Sequence, residues 1–127
     1  MLNLALVALG GALGSVSRYL LGMGLFKALG PGLPYGTLAA NILGGFAMGV
    51  LVSTLALRGG ADQEKWRLLL GVGALGGFTT FSAFSLETAL MIERRHLEIA
   101  AGYVLVSVAL SISGLFLGLF VMRKLLA

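Results

Sequence analysis

Gly71-Val72-Gly73-Ala74-Leu75-Gly76-Gly77-Phe78-Thr79-Thr80-Phe81-Ser82-Ala83-Phe84 decides the reading of this chain. It lies inside an apolar run, Leu68 to Ile92, that is long enough to cross a bilayer. Its glycines and adjacent threonines nevertheless make it the poorest helix former in that run. In hydrocarbon an unpaired backbone amide or carbonyl is costly, so non-helical backbone at membrane depth survives only where protein or a water-filled cavity satisfies it. The stretch therefore predicts a third crossing broken in mid-membrane, an arrangement that builds ion sites from unwound carbonyls and helix ends.

Working outward, three more apolar runs qualify as crossings: Leu2 to Phe26, Tyr35 to Leu57 and Ile99 to Met122. With 58% hydrophobic residues, 11% charged residues and a mean hydropathy of +1.01, the composition excludes a soluble domain. The predicted fold class is all-α: an integral membrane protein with four transmembrane helices, forming a single domain over residues 1–127. The first run is expected to be retained, because no basic residue precedes it and it is longer than the apolar core of a secretion signal.

The connectors leave no room for catalysis. Lys27 to Pro34 is a Gly/Pro turn, Arg58 to Arg67 is charged, and Glu93 to Glu98 holds the sole histidine, His96. None is long enough for a lid, and no nucleophile stands with a base. The chain has no cysteine, which removes disulfides and thiolate metal sites. A net charge of +4 and a pI near 10.0 suit juxtamembrane contact with anionic lipid, and no basic patch for nucleic acid is present.

Basic residues in short loops normally set the orientation of insertion. Four crossings put Arg58, Lys65, Arg67, Arg123 and Lys124 on one side, against Lys27, Arg94 and Arg95 on the other, with Arg18 near that second surface. So even a distribution fits insertion in both orientations, hence an antiparallel homodimer; a single orientation with the N-terminus inside fits the small excess equally well.

Small residues at spacing four allow close helix approach, and each run has such a pair: Gly10 and Gly14, Gly45 and Gly49, Gly73 and Gly77, Gly114 and Gly118. Polar groups in these runs are more telling, because each is expensive in lipid. Thr37 and Asn41 share a face of the second helix, and Tyr103, Ser107 and Ser111 form a hydroxyl track along the fourth. Thr79, Thr80, Ser82 and Ser85 cluster near the expected break. The plainer explanation is that the hydroxyls bond back to their own helix and that Asn41 joins two helices.

Within the runs the only charged side chains are Arg18 and Glu87, each within a few turns of an end. A proton-coupled carrier needs a central carboxylate and a cation path needs acidic rings; neither is present. Hydroxyls, an amide and an arginine are donors, which favours an anion or a neutral solute. Phe81 and Phe84, at spacing three, add ring edges whose positive character solvates an anion weakly. Weak solvation suits conduction, where binding must permit release. Simple packing of the two rings against lipid or a neighbour is the competing explanation.

Three motifs then carry a resemblance. Gly10-Gly11-x-x-Gly14-x-x-x-Arg18-Tyr19, Gly36-Thr37-Leu38-x-x-Asn41-x-x-Gly44-x-Phe46-x-x-Gly49, and Gly76-Gly77-Phe78-Thr79-Thr80-Phe81-Ser82-x-Phe84-Ser85-x-Glu87 closely resemble the Fluc (CrcB) family of fluoride channels. The Tyr103, Ser107, Ser111 track is similar to that family's pore lining. Ala83 departs from the pattern, standing where a threonine is expected.

The resemblance implies an antiparallel, dual-topology homodimer that passively exports fluoride across the plasma membrane of a microorganism. It also implies roles. Phe81 and Phe84 would meet fluoride with ring edges, Asn41 would orient and contact the anion, and Thr37, Tyr103, Ser107 and Ser111 would line the path. Arg18 would make the vestibule favourable for anions. Main-chain carbonyls at Gly76 and Thr79, from both subunits, would hold a sodium ion at the dimer centre. Two rivals share the four crossings: a small dual-topology exporter of cationic drugs, which requires a membrane carboxylate, and a non-conducting assembly subunit.

Overall fold

The computed structural model describes residues 1–127 and is entirely helical. Four stretches are long and apolar enough to cross a membrane: Leu2–Leu29, Tyr35–Arg58, Gly60–Glu93 and Leu97–Leu126. The first two are the single helices α1 (Leu2–Leu29) and α2 (Tyr35–Arg58). The third comprises a short 3₁₀ turn (Gly60–Asp62), α3 (Gln63–Trp66), a π-helical stretch (Arg67–Leu75), α4 (Gly76–Phe78) and α5 (Phe81–Glu93). The fourth is α6 (Leu97–Leu126). The chain is a multi-pass membrane protein.

The helices outrun the apolar segments from which they were inferred, because backbone bonding continues after hydropathy falls. The largest correction concerns the Arg58–Arg67 connector. It is helical from Gly60 onward and turns only at Gly59 and Gly60, the latter at φ 67°. Between α1 and α2 the turn begins at Gly30, whose φ of 81° suits glycine, and Pro31 and Pro34 prevent either helix from running through. The α5–α6 turn is a Schellman motif: His96 N–H donates to the Met91 carbonyl at 2.8 Å and Arg95 N–H to Ile92 at 3.0 Å. Arg95 therefore occupies the left-handed region at φ 62°, a position glycine usually fills.

Backbone approach, more than large side chains, holds the crossings together. Seven of the 14 buried residues are glycines: Gly10, Gly14, Gly44, Gly49, Gly71, Gly73 and Gly118. Along the α2–α6 seam, a Cβ on Gly49 would collide with the Leu115 carbonyl and one on Gly118 with the Phe46 carbonyl. Ser53 Oγ donates to the Leu119 carbonyl at 3.3 Å further along, so these two helices run parallel over most of their length. A second parallel pair joins α1 to the third crossing. A Cβ on Gly73 would fall 2.9 Å from Gly10 Cα, and one on Gly77 would fall 2.7 Å from the Gly11 carbonyl.

That pairing explains a difference from expectation. Gly71, Gly73, Gly76 and Gly77 stay helical; the missing side chains of Gly73 and Gly77 admit α1 instead of unwinding the backbone. The helix is interrupted just beyond them. Thr79 (φ −85°, ψ 158°) and Thr80 (φ −154°, ψ 122°) are extended, and α5 restarts at Phe81.

Candidate functional site

The interruption is fixed by side chains from three elements. Thr80 caps α5, its Oγ1 accepting from Ala83 N–H at 3.1 Å, while Thr79 Oγ1 donates to the Leu75 carbonyl at 2.9 Å. A continuous helix would direct Thr80 N–H to the Gly76 carbonyl. Here it donates to Asn41 Oδ1 at 2.8 Å, and Asn41 Nδ2 returns a bond to the Thr80 carbonyl at 3.0 Å. From α1, Arg18 Nε donates to the Gly77 carbonyl at 3.3 Å. Gly76 stands in the last helical residues before the interruption and Thr79 is its first extended residue.

A groove of about 410 Å³ opens beside this point, between α2, α5 and α6. Asn41, Thr80, Phe81, Phe84, Ser107 and Ser111 all line it. The Phe81 and Phe84 ring centroids are 5.4 Å apart at 49°, and the Tyr103 ring follows Phe84 at 5.3 Å and 40°. These tilted pairs lie in the attractive range for aromatic rings. Burial splits them: Phe84 is 8% exposed and packed, whereas Phe81 is 77% exposed on the open side of the groove.

The hydroxyls also divide. Thr54 and Thr88 donate to carbonyls four residues earlier, as Thr79 does, which is the plain helical use of a hydroxyl. Ser107 and Ser111 do not: both Oγ atoms are buried and neither has a partner in good hydrogen-bond geometry, the Tyr103 hydroxyl standing only in looser reach of Ser107. Leaving a buried polar group unsatisfied costs roughly 1–3 kcal/mol, so two such donors facing one groove need an acceptor from elsewhere.

Thr37 and Tyr103 converge on a residue that sequence reasoning did not place in the site. Thr37 Oγ1 donates to Glu87 Oε2 at 2.8 Å, and Tyr103 OH donates to Glu87 Oε1 at 2.9 Å. The available signal was the spacing of Glu87, three residues beyond Phe84 on the same helical face. Thr37 and Glu87 line a second cavity of about 560 Å³ with Arg18 and Ala83. The sequence-predicted residues thus fall into two groups. Asn41, Phe81, Phe84, Ser107 and Ser111 share the groove, Arg18 and Thr37 share the outer cavity, and Tyr103 stands between them, with its ring on Phe84 and its hydroxyl on Glu87.

No three His, Cys, Asp or Glu side chains come together as metal ligands.

Fold and site together define a four-crossing helical membrane protein with an aromatic, hydroxyl-lined groove at a helix interruption. The chain belongs to the CrcB family: residues 5–119 match the model described as CrcB-like protein, Camphor Resistance (CrcB). It is 65% identical over 124 residues to the fluoride-specific ion channel FluC of Phenylobacterium zucineum, covering 98% of each chain. Identity to the proteins of the same name is 58% over 125 residues in Caulobacter vibrioides and 50% over 125 residues in Agrobacterium fabrum. The alignments cover 98% of both chains for the former, and 98% of this chain and 99% of its relative for the latter.

Proposed function

We propose that this chain is a fluoride channel, acting as a single transmembrane domain in the plasma membrane of a microorganism and passing fluoride passively outward. The observation that carries the reading is the pair of buried, unpartnered hydroxyls at Ser107 and Ser111, facing the same groove as the Phe81 and Phe84 rings. Hydroxyl donors and ring edges replace the hydration of a small anion without a fixed positive charge, so the ion is held weakly enough to leave. The relatives named for fluoride channels support the choice of anion. Arg18 would draw anions into the outer cavity, and Thr37 with Tyr103 would continue the hydroxyl path from there.

The working unit is proposed to be an antiparallel homodimer. In the lone chain the groove is open where Phe81 is exposed, and a second copy would close it. The near-even division of basic residues between the two faces, five against four when Arg18 is counted, suits opposite insertion of the copies. Carbonyls of Gly76 and Thr79 from both copies would hold a sodium ion at the centre. Oxygen donors suit such a hard cation, and Gly76 loses its usual helical donor to Asn41. Bound there, the ion would supply positive charge that steadies two helix ends.

Fluoride release from proteoliposomes, measured without a proton gradient, tests the reading. Passive release is the expected result. Strictly gradient-dependent transport of an organic cation would reverse the choice in favour of a drug exporter, and no transport would leave an assembly subunit.

A further inference from the structure

We infer that Asn41 is a positioning residue that creates the interruption in the third crossing, by offering Thr80 an alternative to its helical hydrogen bonds. The glycines do not create it. Gly71, Gly73, Gly76 and Gly77 are all helical, so low helix propensity has not opened the backbone where it is lowest. The helix ends instead at the two residues beside an amide from another element. Asn41 supplies an acceptor for Thr80 N–H at 2.8 Å and a donor for Thr80 C=O at 3.0 Å. One side chain thereby satisfies both backbone groups of one residue, as a neighbouring β-strand would.

In hydrocarbon an extended residue survives only when those two groups have partners. An amide at position 41 meets both needs. The amide does so from two separate atoms, whereas a hydroxyl would have to accept and donate through a single oxygen, and a carboxylate has no donor when ionised. Register follows from this. Asn41 is held at its height by α2, whose glycine seam with α6 fixes it, so Thr80 is extended and Phe81 starts α5. Phe81 is the next residue in the chain and projects into the same groove as Asn41. Asn41 thus aims the Phe81 ring through the backbone. One amide hydrogen of Asn41 remains for another partner. The consequence for flux rests on the fluoride-path reading above; the geometry does not.

The chain allows a direct test. Thr79–Thr80 is its sole Thr-Thr pair and Thr80–Phe81 its sole Thr-Phe pair. Carbonyl-¹³C threonine combined with ¹⁵N-phenylalanine therefore gives one solid-state NMR cross-peak, reporting the Thr80 carbonyl. The same threonine with ¹⁵N-threonine gives one peak for the Thr80 amide. In fluoride-free wild-type protein in lipid, Thr80 N–H is expected to be protected from deuterium exchange.

Asn41→Ala should let Thr80 N–H return to the Gly76 carbonyl, so the Thr80 carbonyl and amide peaks should both move from extended toward helical shifts while the N–H stays protected. Asn41→Asp keeps the acceptor and loses the donor, so it should move the carbonyl peak while leaving N–H protected. Should the alanine variant fail to assemble, the aspartate variant and wild type carry the test. The inference is overturned by Thr80 signals that ignore both substitutions, or by an unprotected Thr80 N–H in the wild type. Thr80 signals that respond in a protein passing no fluoride would keep the positioning role and remove the channel reading. Fluoride release with Thr80 signals indifferent to Asn41 would do the reverse.

Discussion

The α2–α6 seam and the third crossing use the same glycine-rich vocabulary to opposite ends. Along the seam, Gly45, Gly49, Gly114 and Gly118 admit neighbouring backbone and both helices run unbroken. In the third crossing Gly73 and Gly77 do the same against α1, yet the helix stops two residues later. The difference is polar. Opposite the seam glycines stand carbonyls already bonded within their helices, whereas opposite Thr80 stands an amide able to take both of its backbone bonds. Glycine sets how closely these helices approach, and a side chain from outside decides where one of them opens.

The comparison breaks most severely at Gly49. Gly49→Leu would drive a side chain into the Leu115 carbonyl, and overpacking of this kind is expected to cost about 3 kcal/mol or more, enough to prevent assembly. Yield and unfolding midpoint in detergent would show it; a variant as stable as wild type would mean the seam is not close-packed. Phe84→Ile and Phe81→Ile should each lower fluoride flux by about tenfold while leaving assembly intact, on the scale of one lost aromatic interaction. Undiminished flux in both would remove the rings from the path.

Ser107→Ala and Ser111→Ala separate function from stability. Each removes a buried hydroxyl that has no partner, so unfolding stability should hold or rise by up to about 1 kcal/mol while flux falls several-fold. A loss of stability would indicate that the hydroxyls hold the helices together. At the α5–α6 turn, Arg95→Gly should relieve the left-handed backbone and stabilise the chain by about 1 kcal/mol, read from the same unfolding curves. The smallest effect is expected at Gly102 on α6, where a Cβ meets nothing within 4 Å. Gly102→Ala should add roughly 0.5 kcal/mol from helix propensity alone, in contrast to Gly49.

Much of the architecture was legible because hydropathy and length bound it tightly. Four apolar runs gave four crossings, and their small residues at spacing four mark the contacts observed at Gly49, Gly73 and Gly118. Helix ends were less legible: Gly60 to Arg67 is polar enough to read as a loop, but nothing in it prevents backbone bonding from continuing. The position of the interruption depends on Asn41, distant in sequence and indifferent to local propensity, so only the packed fold reveals that Thr80 opens while Gly76 stays helical. Glu87 was hidden for a related reason. Its meaning lies in two hydroxyls, on α2 and α6, that meet it only after folding. The hydroxyl track was visible as a spacing, but the contrast between Thr88, which bonds back to its own helix, and Ser107, which does not, required coordinates.

The central claim is that the unpartnered hydroxyls and the phenyl rings of one groove stand in for the water around fluoride. The most direct measurement is the fluoride release rate from liposomes carrying equal amounts of assembled wild-type or Ser107→Ala/Ser111→Ala protein. Rapid release by the wild type and a rate about tenfold lower or less in the double variant are predicted, matching loss of hydrogen-bond donors in the path. Equal rates, with both proteins equally assembled, would contradict it.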